Sequence, residues 1–108
     1  MKQFRLTRQA EEHLTEIAIW TFDTFGPRQA DAYEQDLILR CEQIANGTAS
    51  NQSCAVLVDG LKADLRYTRS GQHFVVFLEY DEEVVIVDFL HSRSDLPAKI
   101  AHLEDRFS

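Results

Sequence analysis

The chain has 108 residues and a net charge of −7, with 44% hydrophobic and 27% charged side chains. Those values describe one globular domain with a single real core and exclude a disordered chain. The acidic balance speaks against broad binding to phosphate backbones, which needs clustered Lys and Arg, and no apolar run approaches the ~20 residues of a membrane span.

In chain order, residues 2–6 alternate weakly, with Phe4 and Leu6 on one side, and read as a short strand. Thr7 offers its hydroxyl as an N-cap, with Glu11 and Glu12 near the positive end of a helix. Ala10, Leu14, Ile17, Ala18, Thr21 and Phe25 then follow helical spacing as far as Gly26. Trp20 and Phe22 lie beside that stripe, and Ile19 is the more exposed. Glu11, Glu12, Glu16 and Asp23 make the solvated face.

Pro27 opens a second helix, in which Ala30, Tyr33, Leu37, Cys41 and Ile44 form the apolar stripe and Gly47 marks the end. Helices at 8–25 and 27–46 joined by Gly26-Pro27 must fold back as a tight antiparallel pair. The polar stretch 46–53 reads as a loop, 54–58 as extended chain, Asp59-Gly60 as a turn and 62–68 as a strand.

Two strands, 72–80 and 83–91, joined across Asp81-Glu82, are rich in Val, Ile and Phe. A two-residue turn pairs Leu78 with Val85, Val76 with Val87 and Phe74 with Phe89 on one face, which fits a core. The other face pairs Glu79 with Val84, Phe77 with Ile86, Val75 with Asp88 and His73 with Leu90. An apolar face rimmed by charge marks a partner site if it is exposed. After His91 the chain predicts a short helix, capped near Ser94 or Asp95 with Pro97 in its first turn. The whole is one α+β domain over 1–108, an N-terminal strand and an antiparallel helical pair packed on an antiparallel sheet.

Residues with reactive side chains offer little convergence. Cys41 sits on the apolar stripe of the second helix as a small core residue, and Cys54 follows a polar loop where it could be accessible. Two cysteines outside any metal spacing, with no apolar leader in MKQFRLTRQAEE, predict a cytoplasmic chain with reduced thiols. His73 and His91 are near neighbours across the hairpin without a further ligand, so no metal and no cofactor is expected. His13 and His102 read as helix-surface residues. The simplest roles for Arg66 and Arg93 are ion pairs with Asp64, Asp88 or Asp95.

Phe4-Arg5-Leu6-Thr7, Ala10, Leu14, Ile17-Ala18, Thr21, Phe25-Gly26, Gln29-Ala30 and Tyr33, followed by Leu65-Arg66, Arg69, His73 to Phe77 and Leu90 to Leu96, resemble the ParE branch of the ParE/RelE toxin superfamily. The last segment is similar to the family signature LHxRMDL, with Ser94 where Met is usual. The resemblance covers nearly the whole chain and implies the toxin of a type II toxin–antitoxin module with a RelE/ParE-like fold. It also implies a ParD-like or similar DNA-binding antitoxin as partner and DNA gyrase as the poisoned target. On that reading the toxin is not an enzyme, contacts no membrane, and meets nucleic acid only within the toxin–antitoxin complex.

Trp20, Phe22, Val75, Phe77, Val84, Ile86 and Leu90 are the expected antitoxin contacts, and Lys62, Arg66, Arg69, His73, His91 and Arg93 the expected target contacts. The alternatives are a RelE-like ribosome-dependent mRNA endonuclease and a degenerate toxin that only binds its antitoxin. Catalysis of the RelE kind needs an acid, a base and cations converging on a phosphate, and also uses a C-terminal aromatic hydroxyl. Here that end offers Phe107. Family members are commonly basic, and the charge of −7 weighs against a phosphate-rich target.

Overall fold

The computed structural model describes residues 2–107. Strand β1 (Gln3–Leu6) leads into helix α1 (Arg8–Phe25) and helix α2 (Pro27–Ala45), followed by β2 (Gln52–Ser53), β3 (Arg66–Ser70), β4 (His73–Glu79), β5 (Glu83–His91) and helix α3 (Leu96–Phe107). The sheet runs β1-β5-β4-β3-β2. β4 pairs antiparallel with both neighbours, whereas β1 joins β5 in parallel, with Phe4 opposite Val84. The sheet is therefore mixed, not wholly antiparallel. Between β1 and β5 the chain passes through α1, α2 and the strands β2 to β4, the kind of long connection that a parallel pair requires.

The helix ends follow local chemistry. The Thr7 hydroxyl accepts from Ala10 N at 3.1 Å and donates to the Val87 carbonyl at 2.7 Å, so one side chain caps α1 and ties it to β5. Gly26 ends α1 and begins α2 at φ 94°, a conformation that only glycine adopts without strain. Its N–H donates to Phe22 O at 2.8 Å, and its carbonyl accepts from Ala30 N at 3.1 Å. Asp95 Oδ1 accepts from Ala98 N at the start of α3, the cap expected for that helix.

Both faces of the central hairpin are covered. Val75, Phe77, Val84, Ile86 and Phe89 pack under Ala10 of α1 and under Leu37, Cys41, Ile44 and Ala45 of α2. Val76, Leu78, Val87 and Leu90 pack on the opposite side against Ile100 and Leu103 of α3, with Cys54 and Leu65 from the preceding loop. This corrects the expectation of one core face and one exposed patch. Near-continuous apolar runs are what strands covered on both sides look like, and α3 is the cover that periodicity within the hairpin could not reveal. Glu104 of α3, itself buried, accepts the backbone N–H groups of Lys62 and Ala63 and so fastens that loop over the second core.

The register also departs from a regular ladder. Phe77 faces Ile86 and Leu78 faces Val85 as expected, but Val76 faces Asp88, Val75 faces Phe89 and His73 faces His91. β5 takes in one extra residue beside Val76, the signature of a bulge. Val76 and Val87 stay in the same core, so the assignment of faces at that point holds.

Smaller corrections concern the connection before β3. Residues 54–56 form a 3-10 turn, not extended chain, and β3 begins at Arg66, four residues later than expected. Cys54 is buried, not accessible, because that turn packs under α3.

Candidate interaction site

α1 buries little of its apolar surface. Only Ala10 and Thr21 are fully inside, and the Thr21 hydroxyl bonds back to Ile17 O at 2.7 Å. Ile19, Trp20, Phe22 and Phe25 are 57%, 61%, 52% and 61% exposed. A helix whose apolar residues run past the stripe its own core can cover presents the surplus to solvent. The Trp20 and Phe25 rings meet edge to face at 5.9 Å, which fixes an aromatic ridge.

Beside that ridge opens a cleft of about 680 Å³, lined by His13, Ile17, Trp20 and Phe25 of α1, Gln29 and Tyr33 of α2, and His73, Phe89 and His91 of the sheet. It is mostly apolar with a few polar groups, the usual constitution of a binding site. Phe22 and Ile19 instead line a shallower groove between the helices, with Ala18, Pro27 and Ala30.

The floor of the cleft is held by Tyr33. Its hydroxyl accepts Gln72 N–H at 2.9 Å and lies 2.6 Å from His73 Nδ1, while its ring leaves no room at Gly71. A Cβ added at Gly71 would stand 2.7 Å from the Tyr33 ring, so the turn between β3 and β4 can close on α2 only with glycine there. Burial raises the Tyr33 phenol, and burial with the neighbouring His91 lowers His73 to about 4. Burial likewise pushes the thiols of Cys41 and Cys54 up to about 12, so both are inert packing residues. No group of three His, Cys, Asp or Glu among the described residues could hold a metal ion.

A buried carboxyl group stands at the edge of the cleft. Asp88 is 1% exposed and accepts from Gln9 Nε2 at 2.7 Å, from Phe89 N at 2.8 Å and from His13 Nδ1 at 2.5 Å. His13 is thus no plain surface residue, and the partner of Asp88 is not Arg66 or Arg93. Alternation already put Asp88 on the face of Val84 and Ile86; that α1 lies over this face and supplies Gln9 and His13 is what sequence spacing alone could not show. Arg66 does lie 3.6 Å from Asp64, as expected, and its Nε donates to Asn51.

The residues singled out beforehand therefore separate. Trp20 and Phe22 are exposed. Val75, Phe77, Val84 and Ile86 are wholly buried and Leu90 nearly so, which rules out an exposed patch made of these five. The target set divides as well. Lys62 is exposed on the loop fastened to α3, Arg66 sits beside Asp64, and Arg69 lies over the Phe74 ring at 5.7 Å. His73 and His91 line the cleft, and Arg93 is exposed beyond β5. The ridge of Phe25 together with Trp20, and the pairing of His13 with Asp88, were missed, because each depends on how α1 lies across the sheet.

Comparison with known proteins agrees with the fold and its chain order. The family described as ParE toxin of the type II toxin–antitoxin system parDE matches residues 4–96. Toxin ParE1 of Caulobacter vibrioides is 31% identical over 100 residues, which is 93% of this chain and 99% of that protein. A solved structure of the chromosomal ParDE TA system from P. aeruginosa shares the fold with a TM-score of 0.64 at 19% identity, over 84% of this chain and 96% of the other. The chain belongs to the ParE toxin family and is the toxin component of a type II toxin–antitoxin pair, with a cognate antitoxin as its partner.

Proposed function

We propose that this toxin acts by binding DNA gyrase, not by cleaving RNA, and that its antitoxin neutralises it by covering the aromatic ridge and cleft of α1. Family membership supports the gyrase target through the resemblance described above. The observation that favours binding over catalysis is the dispersal of the cationic side chains. Arg66 and Arg69 are three residues apart on β3, roughly 10 Å, and alternation sends them to opposite faces of the sheet. His73 is neutral near pH 7 and has its Nδ1 engaged by the Tyr33 hydroxyl. A scissile phosphate needs its acid, base and cations within hydrogen-bond reach at once. Lys62, Arg69 and Arg93, exposed at separate points of the rim, are better suited to contacts with a protein surface.

Trp20, Phe22, Ile19 and Phe25 support the antitoxin reading. Aromatic residues dominate the energetics of protein interfaces, and a chain with this much exposed apolar surface gains solubility when a partner covers it. The test combines two assays on the purified toxin. Inhibition of gyrase supercoiling, relieved by antitoxin, is expected. Cleavage of ribosome-bound mRNA that is lost in Arg66→Ala with the fold intact would replace this reading with the endonuclease.

A further inference from the structure

Two imidazoles line the floor of the cleft, and each has its Nδ1 engaged. The backbone N–H of Arg93 donates to His91 Nδ1 at 3.0 Å. A backbone amide can only donate, so neutral His91 carries its proton on Nε2. The same conclusion holds for His73 by way of Tyr33. Gln72 N–H occupies one lone pair of the Tyr33 hydroxyl, whose proton then has two acceptors, His73 Nδ1 at 2.6 Å and Ser70 O at 3.4 Å. A phenol donates more readily than it accepts a second bond, which assigns its proton to the 2.6 Å contact and Nδ1 to the acceptor role. His73 therefore also presents Nε2–H. The raised Tyr33 phenol and the lowered His73 keep both groups in these neutral forms near pH 7.

We infer that the two Nε2–H groups of His73 and His91 form a receptor for a carboxylate, supplied by an Asp or Glu of the antitoxin segment that lies in the cleft. The inference rests on the reading that the antitoxin covers this face, and it names what the segment must bring. The rings sit directly opposite across β4 and β5 with centroids 5.2 Å apart, and a carboxylate has two oxygens to receive two donors. Apolar walls at Trp20, Phe25 and Phe89 exclude water once the antitoxin segment closes over the cleft, and there a hydrogen bond to a charged acceptor is strongest. A lysine or arginine would find no acceptor on either ring. A metal ion is disfavoured for the same reason, since ligation needs the lone pair that each Nε2 proton occupies. Glu16, on the α1 wall of the cleft, repels a second carboxylate and leaves the residue beside the first to be apolar, against Trp20 and Phe25.

The test uses two small probes on the full chain, 3-phenylpropionate and its amide, followed by nitrogen NMR of the imidazole side chains. The acid is expected to shift Nε2 of both His73 and His91 and to bind about tenfold more tightly than the amide, the margin a charge-assisted hydrogen bond provides. Tyr33→Phe should release the His73 tautomer, visible in its nitrogen pattern, and remove most of the preference for the acid. Saturating antitoxin should displace the acid and move the same two imidazoles. Equal binding of acid and amide would overturn the receptor. Antitoxin that moves the Trp20 signals but leaves both imidazoles unchanged would overturn it too, with the covered face upheld. Antitoxin that moves neither would overturn the covered face itself.

Discussion

His73 and His91 face each other across the central hairpin, ring centroids 5.2 Å apart, because β5 takes in an extra residue between the partners of Val76 and Phe77. In a regular ladder His73 would meet Leu90, and the second imidazole would be missing from the floor of the cleft. Asp88, next to the same irregularity, bonds to His13 and Gln9. The bulge thus sets the pairing of the two imidazoles, in keeping with the way bulges re-aim side chains beside functional sites.

Phe77 is a core residue, and its truncation should be read in stability. Phe77→Ala is expected to lower the free energy of unfolding by about 3–5 kcal/mol, the range for a buried aromatic replaced by a cavity. Val87→Asp should be as severe or worse, because it places an unpaired charge in the core against α3. Urea unfolding followed by circular dichroism measures both. A Phe77→Ala protein as stable as the parent would contradict the packing described.

Asp88 is buried with three donors. Asp88→Ala leaves those donors without their acceptor and is expected to destabilise by about 1–3 kcal/mol. A double-mutant cycle with His13→Ala should return a coupling of about 1–3 kcal/mol. Additive single changes would show that His13 and Asp88 do not act as a pair.

His73 gives the fold a pH dependence of definite sign. Its value is about 4 in the folded chain against 6.5 for the free side chain. Between those values the unfolded chain binds a proton that the folded chain refuses, so stability falls as pH drops through that window. The contribution is fully present above it. His73→Gln should flatten this part of the profile relative to the parent. Urea midpoints near neutrality and inside the window decide the matter, and an unchanged slope in the variant would count against the burial of His73.

Trp20 should behave in the opposite way to Phe77. Exposed as it is, Trp20→Ala is expected to change stability by no more than about 0.5 kcal/mol, yet to weaken antitoxin binding by about 2 kcal/mol or more. Phe22→Ala tests the neighbouring groove in the same titration. Because the anchors are apolar and the chain is acidic, raising salt should weaken the complex only modestly. Calorimetric titration at low and high salt checks this. Binding that collapses at high salt would shift the weight to charge.

The lengths of α1 and α2, their fold-back at Gly26-Pro27, the strands of the central hairpin and the small-residue role of Cys41 were all legible in the residues themselves. Each depends on interactions a few positions apart: a capping hydroxyl, a glycine at positive φ, a repeat of 3.6 or of 2. The family was legible as well, because its pattern is spread in order along the chain. What covers each face of the sheet was not. Val75, Phe77, Val84 and Ile86 could equally have been surface or core until α1 and α2 were laid on one side and α3 on the other. The parallel pairing of β1, the bulge beside Val76 and the meeting of His73 with His91 likewise join residues far apart in the chain, or turn on a one-residue shift that alternation cannot register. Local chemistry thus specified the elements, whereas the cleft and its two imidazoles came into being only when distant surfaces competed to be buried.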